Sequence, residues 1–295
     1  MGVFAALGTA LCWAIAARLY QQTGNAFSPL SMNFWKGAIS IVILSVVVLI
    51  IPTNLHSHYA LGVLLVSGFI GIGIGDTLFF RALQSIGDSQ TVLVAETLAP
   101  IFTALFAMAF IGEWLTWQQW IGIAVVLLAI DMVIKSRKRD TTHVFATSGY
   151  LYAVGAAICQ AVGAVMSRDI LASGDIDAAS AALFRLVGGM VFVVPLMLIS
   201  KTVWLPKVTS AVRTWRLFVI ATLLGTTAAI YLQMFAIANA KAAVVQTLIA
   251  TSALMSLGVA WILGEKASKA TLYWSVTALI GVALLIFFGD NSPLH

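Results

Sequence analysis

Apolar residues run unbroken for about twenty positions at a time along this chain, and polar or turn-forming residues fall between the runs. A helix that crosses a bilayer needs roughly 20 such residues, whereas a barrel strand shows about ten in strict alternation. The runs are long and do not alternate, so they predict helices. Cutting at turn residues and charges gives ten segments: 2–20, 29–51, 59–84, 88–111, 118–135, 147–168, 178–200, 212–238, 241–263 and 269–288. The cuts have local causes. Ser28-Pro29 opens the second helix, with proline in the first turn, where its missing N–H costs little. Pro52-Thr53-Asn54 closes it, Gly87-Asp88 parts the third from the fourth, and Gly112-Glu113 ends the fourth. A basic run from Lys135 to Arg139 follows the fifth.

Composition removes the soluble alternatives. Of 295 residues, 61% are hydrophobic and 9% charged, against about 45–50% and 25% in a soluble domain. The mean hydropathy is +1.02. Sixteen basic and eleven acidic side chains cannot cover a water-soluble globule of this size, which excludes a cytosolic enzyme, a secreted disulfide scaffold and a disordered chain. The fold class read from the pattern is therefore all-α integral membrane, with ten transmembrane helices and short loops. Cys12 and Cys159 lie inside apolar runs and read as small buried hydrophobes, not as a disulfide or a metal pair. Residues 2–20 lack a basic leader and read as a retained first helix.

Basic residues orient the spans. With the face of the N-terminus called side one, the side-two loops carry Arg18, Arg81, Lys135, Arg137, Lys138, Arg139, Lys201, Lys207, Arg213, Arg216, Lys266 and Lys269; side one carries Arg168 and Lys241. That asymmetry predicts a cytoplasmic side two and both termini outside. It also accounts for the net charge of +5 without a nucleic-acid partner. Trp114, Trp117 and Trp120, and separately Trp204 and Trp215, cluster at helix ends and read as interfacial belt residues.

The two halves of the chain match. Gly8-Thr9-Ala10-Leu11-Cys12 answers Gly155-Ala156-Ala157-Ile158-Cys159, Phe34-Trp35-Lys36 answers Leu183-Phe184-Arg185, and Gly112-Glu113 answers Gly264-Glu265, at offsets of 147, 149 and 152. Five helices per half, an odd number, force the second copy to enter from the opposite face. The expectation is two inverted five-helix repeats, 1–140 and 141–295, a layout that many secondary transporters use to expose a central site alternately to either side.

Phe80-Arg81-Ala82-Leu83 at the junction of helices three and four, Glu96 to Pro100, and Gly112-Glu113-Trp114-Leu115-Thr116 resemble the drug/metabolite transporter superfamily, in its EamA-type branch. The resemblance runs over 2–288. In the second half the pattern departs, with Leu248 and Ser252 near where Glu96 and Pro100 would repeat. It implies secondary transport of small metabolites, often export, and leaves the substrate open.

Charged groups at membrane depth need a partner or a wet cavity, since each costs about 2.5–3.5 kcal/mol in the hydrocarbon on insertion scales. Lys36, Asp76 and Glu96 fall at similar depth, roughly 10–12 Å from side two at 1.5 Å per residue. Lys36 and Asp76 read either as a structural salt bridge or as part of a site. Glu96 sits one turn before Pro100, which frees a carbonyl and permits a bend; it is a candidate for proton coupling or for meeting a substrate ammonium. Arg185 has no obvious intramembrane carboxylate in its own half. Three readings stay open for it: a structural counterpart of Lys36, a pair with Glu96, or a contact for a substrate carboxylate.

Trp13, Phe79 and Tyr231 are candidate aromatic walls, and Gln246 a candidate hydrogen-bonding group. Gly68, Gly71, Gly73 and Gly75 make one face of helix three small, which permits close approach or local unwinding. No metal motif, nucleophile elbow or phosphate loop occurs, so no cofactor is expected. The reading is a non-enzymatic exporter of small polar or amphipathic metabolites such as amino acids or amines, in the inner membrane, with protons as a candidate coupling ion and a monomer sufficient. A polyspecific pump for lipophilic cations is the alternative, and an intramembrane enzyme a remote one.

Overall fold

Within lipid a backbone finds no partner but itself, and long apolar segments answer by becoming helical. The computed structural model describes residues 1–23, 26–50, 57–136, 147–174, 176–205, 211–262 and 269–289. These contain α1 (Gly2–Gln22), α2 (Pro29–Ile50), α3 (His58–Gly68), α4 (Gly75–Ile111), α5 (Trp117–Ser136), α6 (Thr147–Ala172), α7 (Ala178–Ile199), α8 (Ala211–Thr222), α9 (Ala229–Asn239), α10 (Ala242–Ala250), α11 (Ser252–Ile262) and α12 (Lys269–Gly289). Eight segments are long and apolar enough to cross a membrane, and two shorter apolar stretches, Ala242–Ser256 and Tyr273–Phe288, lie in the ninth and tenth expected spans. The repeat partner Gly264-Glu265 and the basic loop at 137–146 fall outside the described residues.

The third span is α3, a π-helical stretch Phe69–Ile74, and α4 as far as Gly87. Gly87 stands at φ 77°, ψ 170°, a backbone conformation that glycine alone adopts without strain; there the chain turns and the rest of α4 becomes the fourth span. The eighth span repeats the design: α8, a π-helical stretch Leu223–Ala228, and α9. Gly71 and Gly225 take the same place in the two π stretches, at an offset of 154 residues. A π turn interrupts the regular ladder of helical hydrogen bonds and is a common site of bending. Each repeat thus carries one such joint near the middle of its third span.

The ninth span differs from the continuous helix expected over 241–263. It breaks at Thr251, whose hydroxyl and N–H both donate to the carbonyl of Leu248, so α10 ends and α11 begins at Ser252. In the first repeat Pro100 sits within the helical part of α4 that follows Gly87, so the bend expected at Pro100 has its counterpart in a break made by a threonine.

Helix α3 crosses α7 with backbones in contact. A Cβ on Gly68 would collide with the Arg185 carbonyl, and one on Gly188 with the carbonyl of Leu65. Asp177 starts α7 by accepting from the N–H groups of Ala179 and Ser180. Gly188→Val should therefore force the crossing apart, at a cost of about 3 kcal/mol. Thermal unfolding of the purified variant would report it; an unchanged melt would show the crossing to be loose.

Candidate functional site

Side one is closed by a buried polar network. Gly112 ends α4 at φ 65°, a left-handed cap that turns the next residue, Glu113, back toward α6. Arg168, near the end of α6, donates from Nε to Glu113 Oε1 at 2.9 Å, and the two side chains are 3% and 10% exposed. The same guanidinium donates from Nη1 to the carbonyls of Ile237 and Ala238, which end α9, at 2.7 and 2.9 Å. The other Glu113 oxygen accepts from the N–H of Ala242 at 2.8 Å, capping α10. One ion pair thereby ties together the ends of α4, α6, α9 and α10.

The tie is reinforced from α5. Thr116 and Gln119 bond reciprocally at its start, Lys241 donates to the Trp114 carbonyl, and Gln119 reaches the carbonyl of Phe288. Burial holds the Lys241 ammonium below the ordinary lysine value, with the neighbouring Glu113 opposing that shift and Arg168 adding to it.

Side two is organised differently. The end of α1, the start of α2 and α8 meet through Tyr20, Phe27, Trp35, Trp215 and Phe218, with Phe27 stacked on Phe218 at 4.3 Å. Ser31 and Trp35 donate to the Trp204 carbonyl at 2.8 and 2.7 Å. Of the two tryptophans expected as belt residues on this side, Trp215 belongs to this cluster, and Trp204 packs edge-on against Phe34. A second group, Ala82, Ile86 and Ala153, joins α4 to α6. A cavity of about 220 Å³ opens between Ser28 and Leu30 on one side, Thr77, Phe80, Arg81 and Gln84 of α4 on another, and Leu196, Ser200 and Thr202 on the third.

The charged groups expected at mid-membrane form one layer against the third span. Lys36 Nζ lies 2.7 Å from Asp76 Oδ2, with the two side chains 17% and 33% exposed, and 5.5 Å from the centre of the Phe80 ring. Phe79 packs edge-on against Phe80, and it is Phe80 that lines the cavity. Arg185 is buried across from this pair, with Asp76 within electrostatic reach. Among the described residues it forms no ion pair with Glu96 or with any other carboxylate; Nη1 meets only the Met234 sulfur, at 3.5 Å, and Nε has no partner.

Glu96 is half-buried and makes no hydrogen bond or ion pair among the described residues. Gln246 is 2% exposed and its Nε2 has no partner among the described residues. Trp13 packs on the main core, and Tyr231 is 39% exposed. The structure thus unites Lys36 and Asp76, sets Arg185 beside them, and joins Glu96, Gln246, Trp13 and Tyr231 to that layer by no hydrogen bond or ion pair among the described residues.

Lys36 and Asp76 form a partly buried ion pair. Their coupling should be about 1 kcal/mol. A double-mutant cycle with Lys36→Met and Asp76→Asn, followed by thermal unfolding, would measure it; additive losses would show that the pair contributes nothing as a pair.

Sequence reasoning missed the partnership of Arg168 with Glu113. Both residues were visible, one as a side-one charge and one in a repeated Gly-Glu, and their common position at helix ends on one face was the available signal. Asn33, fully buried with both amide atoms unpartnered among the described residues, gave no signal at all.

Two inverted five-helix repeats, each jointed in its third span, enclosed by a latch on one face and opened by a cavity on the other, define a membrane transporter fold. The family model described as "EamA-like transporter family" matches residues 1–135 and again 147–287, and the chain belongs to that family. A crystal structure described as "Crystal structure of protein" is similar in fold, with a TM-score of 0.80 over 97% of this chain and 96% of that one at 19% identity. No curated protein sequence matches.

Proposed function

We propose that this chain is a secondary exporter of small polar or amphipathic metabolites, amino acids or amines among them, working by alternating access in the inner membrane with both termini outside. The observation that carries this reading is the asymmetry of the two faces: a buried latch at side one, a cavity at side two. The charge count makes side two cytoplasmic, so the cavity faces the compartment from which an exporter loads. The halves 1–140 and 141–295 are the two moving bodies, bending at the π stretches, and one chain holds both. Glu96 is the coupling group: a carboxylate on the fourth span with no hydrogen bond or ion pair among the described residues, able to carry a proton or to meet an ammonium.

Counterflow in proteoliposomes tests the proposal. With amino acids and amines loaded inside, labelled solute of the transported class should enter saturably and be accelerated by the same solute on the trans side. Uptake that stays linear with concentration and ignores the trans solute, across the whole panel, would refute it. Accumulation of structurally unrelated lipophilic cations alone would turn the reading to a drug pump.

A further inference from the structure

The hydrogen-bonding groups left free in the side-two cavity are mainly donors. Thr77 gives its hydroxyl hydrogen to the Gly73 carbonyl at 2.7 Å. Ser200 gives its own to the Leu196 carbonyl at 2.7 Å, so the Thr202 hydroxyl donates to the Ser200 oxygen. Ser28 Oγ accepts from the Ser31 N–H at 3.2 Å, and its own O–H has no acceptor among the described residues. Arg81 and Gln84, three residues apart on one face of α4, have no hydrogen-bond or ion-pair partner among the described residues. A ligand entering this space of about 220 Å³ therefore meets a guanidinium, an amide and a hydroxyl hydrogen.

The charge is of one sign as well. Among the described residues Arg81 is the one charged side chain that lines the cavity, and no carboxylate does. The layer deeper in the membrane holds two cations, Lys36 and Arg185, and two carboxylates, Asp76 and Glu96; it is formally neutral and leaves Arg81 unopposed. Lys201, exposed between Ser200 and Thr202, adds to the positive charge at the rim. Leu30, Phe80 and Leu196, from three different helices, supply an apolar lining. A few convergent polar groups on an otherwise apolar recess are the usual form of a small-molecule site.

We infer that this cavity is the loading site for amphipathic solutes that carry an oxyanion, with Arg81, Gln84 and Ser28 holding the oxyanion and Leu30, Phe80 and Leu196 covering the apolar body. This rests on the transport reading and narrows its substrate class: an amphipathic solute with an anionic head is loaded, and a plain amine or lipophilic cation is not.

The test uses the full chain in detergent, with thermal unfolding as the readout and one side chain in four charge forms: leucine, N-acetylleucine, leucinamide and N-acetylleucinamide. The first two should raise the melting temperature saturably, and the two amides should not. Arg81→Gln should raise the half-saturating concentration of N-acetylleucine about tenfold, the low end for a hydrogen bond to a charged group because the site is exposed. Arg81→Lys should raise it less. Arg81 is exposed, so these variants should keep the wild-type melt without ligand. Leu30→Trp, which fills the cavity, should weaken the same response, and Arg216→Gln, on α8 outside it, should leave the response unchanged.

Leucinamide as effective as N-acetylleucine, an Arg216→Gln loss as large as that of Arg81→Gln, an unchanged response in Arg81→Gln, or no response to N-acetylleucine would each overturn the inference. So would phosphatidylglycerol, added to the micelles, that raises the melt through Arg81 and abolishes the N-acetylleucine response; the oxyanion would then be a lipid headgroup. The transport reading fails separately. Saturable flux of leucinamide that survives Arg81→Gln leaves transport standing without this site, and Arg81-dependent binding of N-acetylleucine without flux leaves the site without transport.

Discussion

Arg168→Ala should unfasten side one. The substitution strands the Glu113 carboxylate in a buried site and removes the donors for Ile237 and Ala238, so the expected loss of stability is about 3–5 kcal/mol, the range for breaking one partner of a buried ion pair. Glu113→Gln should be milder, since it removes the buried negative charge together with one of the two acceptors: the amide oxygen keeps either the Arg168 Nε bond or the Ala242 N–H bond, and the other donor loses its partner. Thermal unfolding and side-one thiol labelling measure both effects. A latch that is also a gate should show a loss of closure larger than the loss of fold: Arg168→Ala should remain a helical, monodisperse protein whose side-one interior reacts. Loss of all folded protein in Arg168→Ala and Glu113→Gln alike would make the network a structural clamp with no gating role.

The second large effect belongs to Glu96. Glu96→Gln keeps the shape and removes the charge, and if the carboxylate carries the coupling proton the variant should lose gradient-driven flux entirely while still binding solute. Exchange of solute across a membrane with no gradient should survive, because that step needs no net proton movement. Wild-type flux with unchanged pH dependence in the variant would exclude Glu96 from coupling. Its position in the fold, on the fourth span without any partner among the described residues, is the reason to expect so selective a loss.

Much of this architecture was readable because lipid leaves a sequence few options. Apolar runs gave helices at close to their observed bounds, and the offset matches between the halves announced the duplication. Gly87 and Gly112 marked turns that the structure makes with positive φ. The pairing of Lys36 with Asp76 followed from two opposite charges at one depth. What stayed hidden depends on relations across the fold. The π stretches at Phe69–Ile74 and Leu223–Ala228 arise from packing against neighbouring helices, and no propensity marks them beyond a small-residue face in the first. The break at Thr251 looks like an ordinary hydroxyl in an apolar run. The latch joins residues 55 positions apart, and nothing local in either one points to the other. Arg185 and Glu96 were natural partners by charge, yet the crossing of α3 and α7 aims the guanidinium toward Gly71 and Gly163 instead.

Alternating access requires the two faces to move reciprocally, and this is measurable without knowing the substrate. Spin labels would be placed on exposed positions in a background with Cys12 and Cys159 changed to alanine: Trp114→Cys with Asn239→Cys across side one, and Gln84→Cys with Ser200→Cys across the side-two cavity. Distances are then compared in the presence of Arg168 and after Arg168→Ala. The account predicts that removing the latch lengthens the side-one distance and shortens the side-two distance in the same molecules. A side-one distance that grows while side two stays fixed, or two distances that grow together, would contradict it.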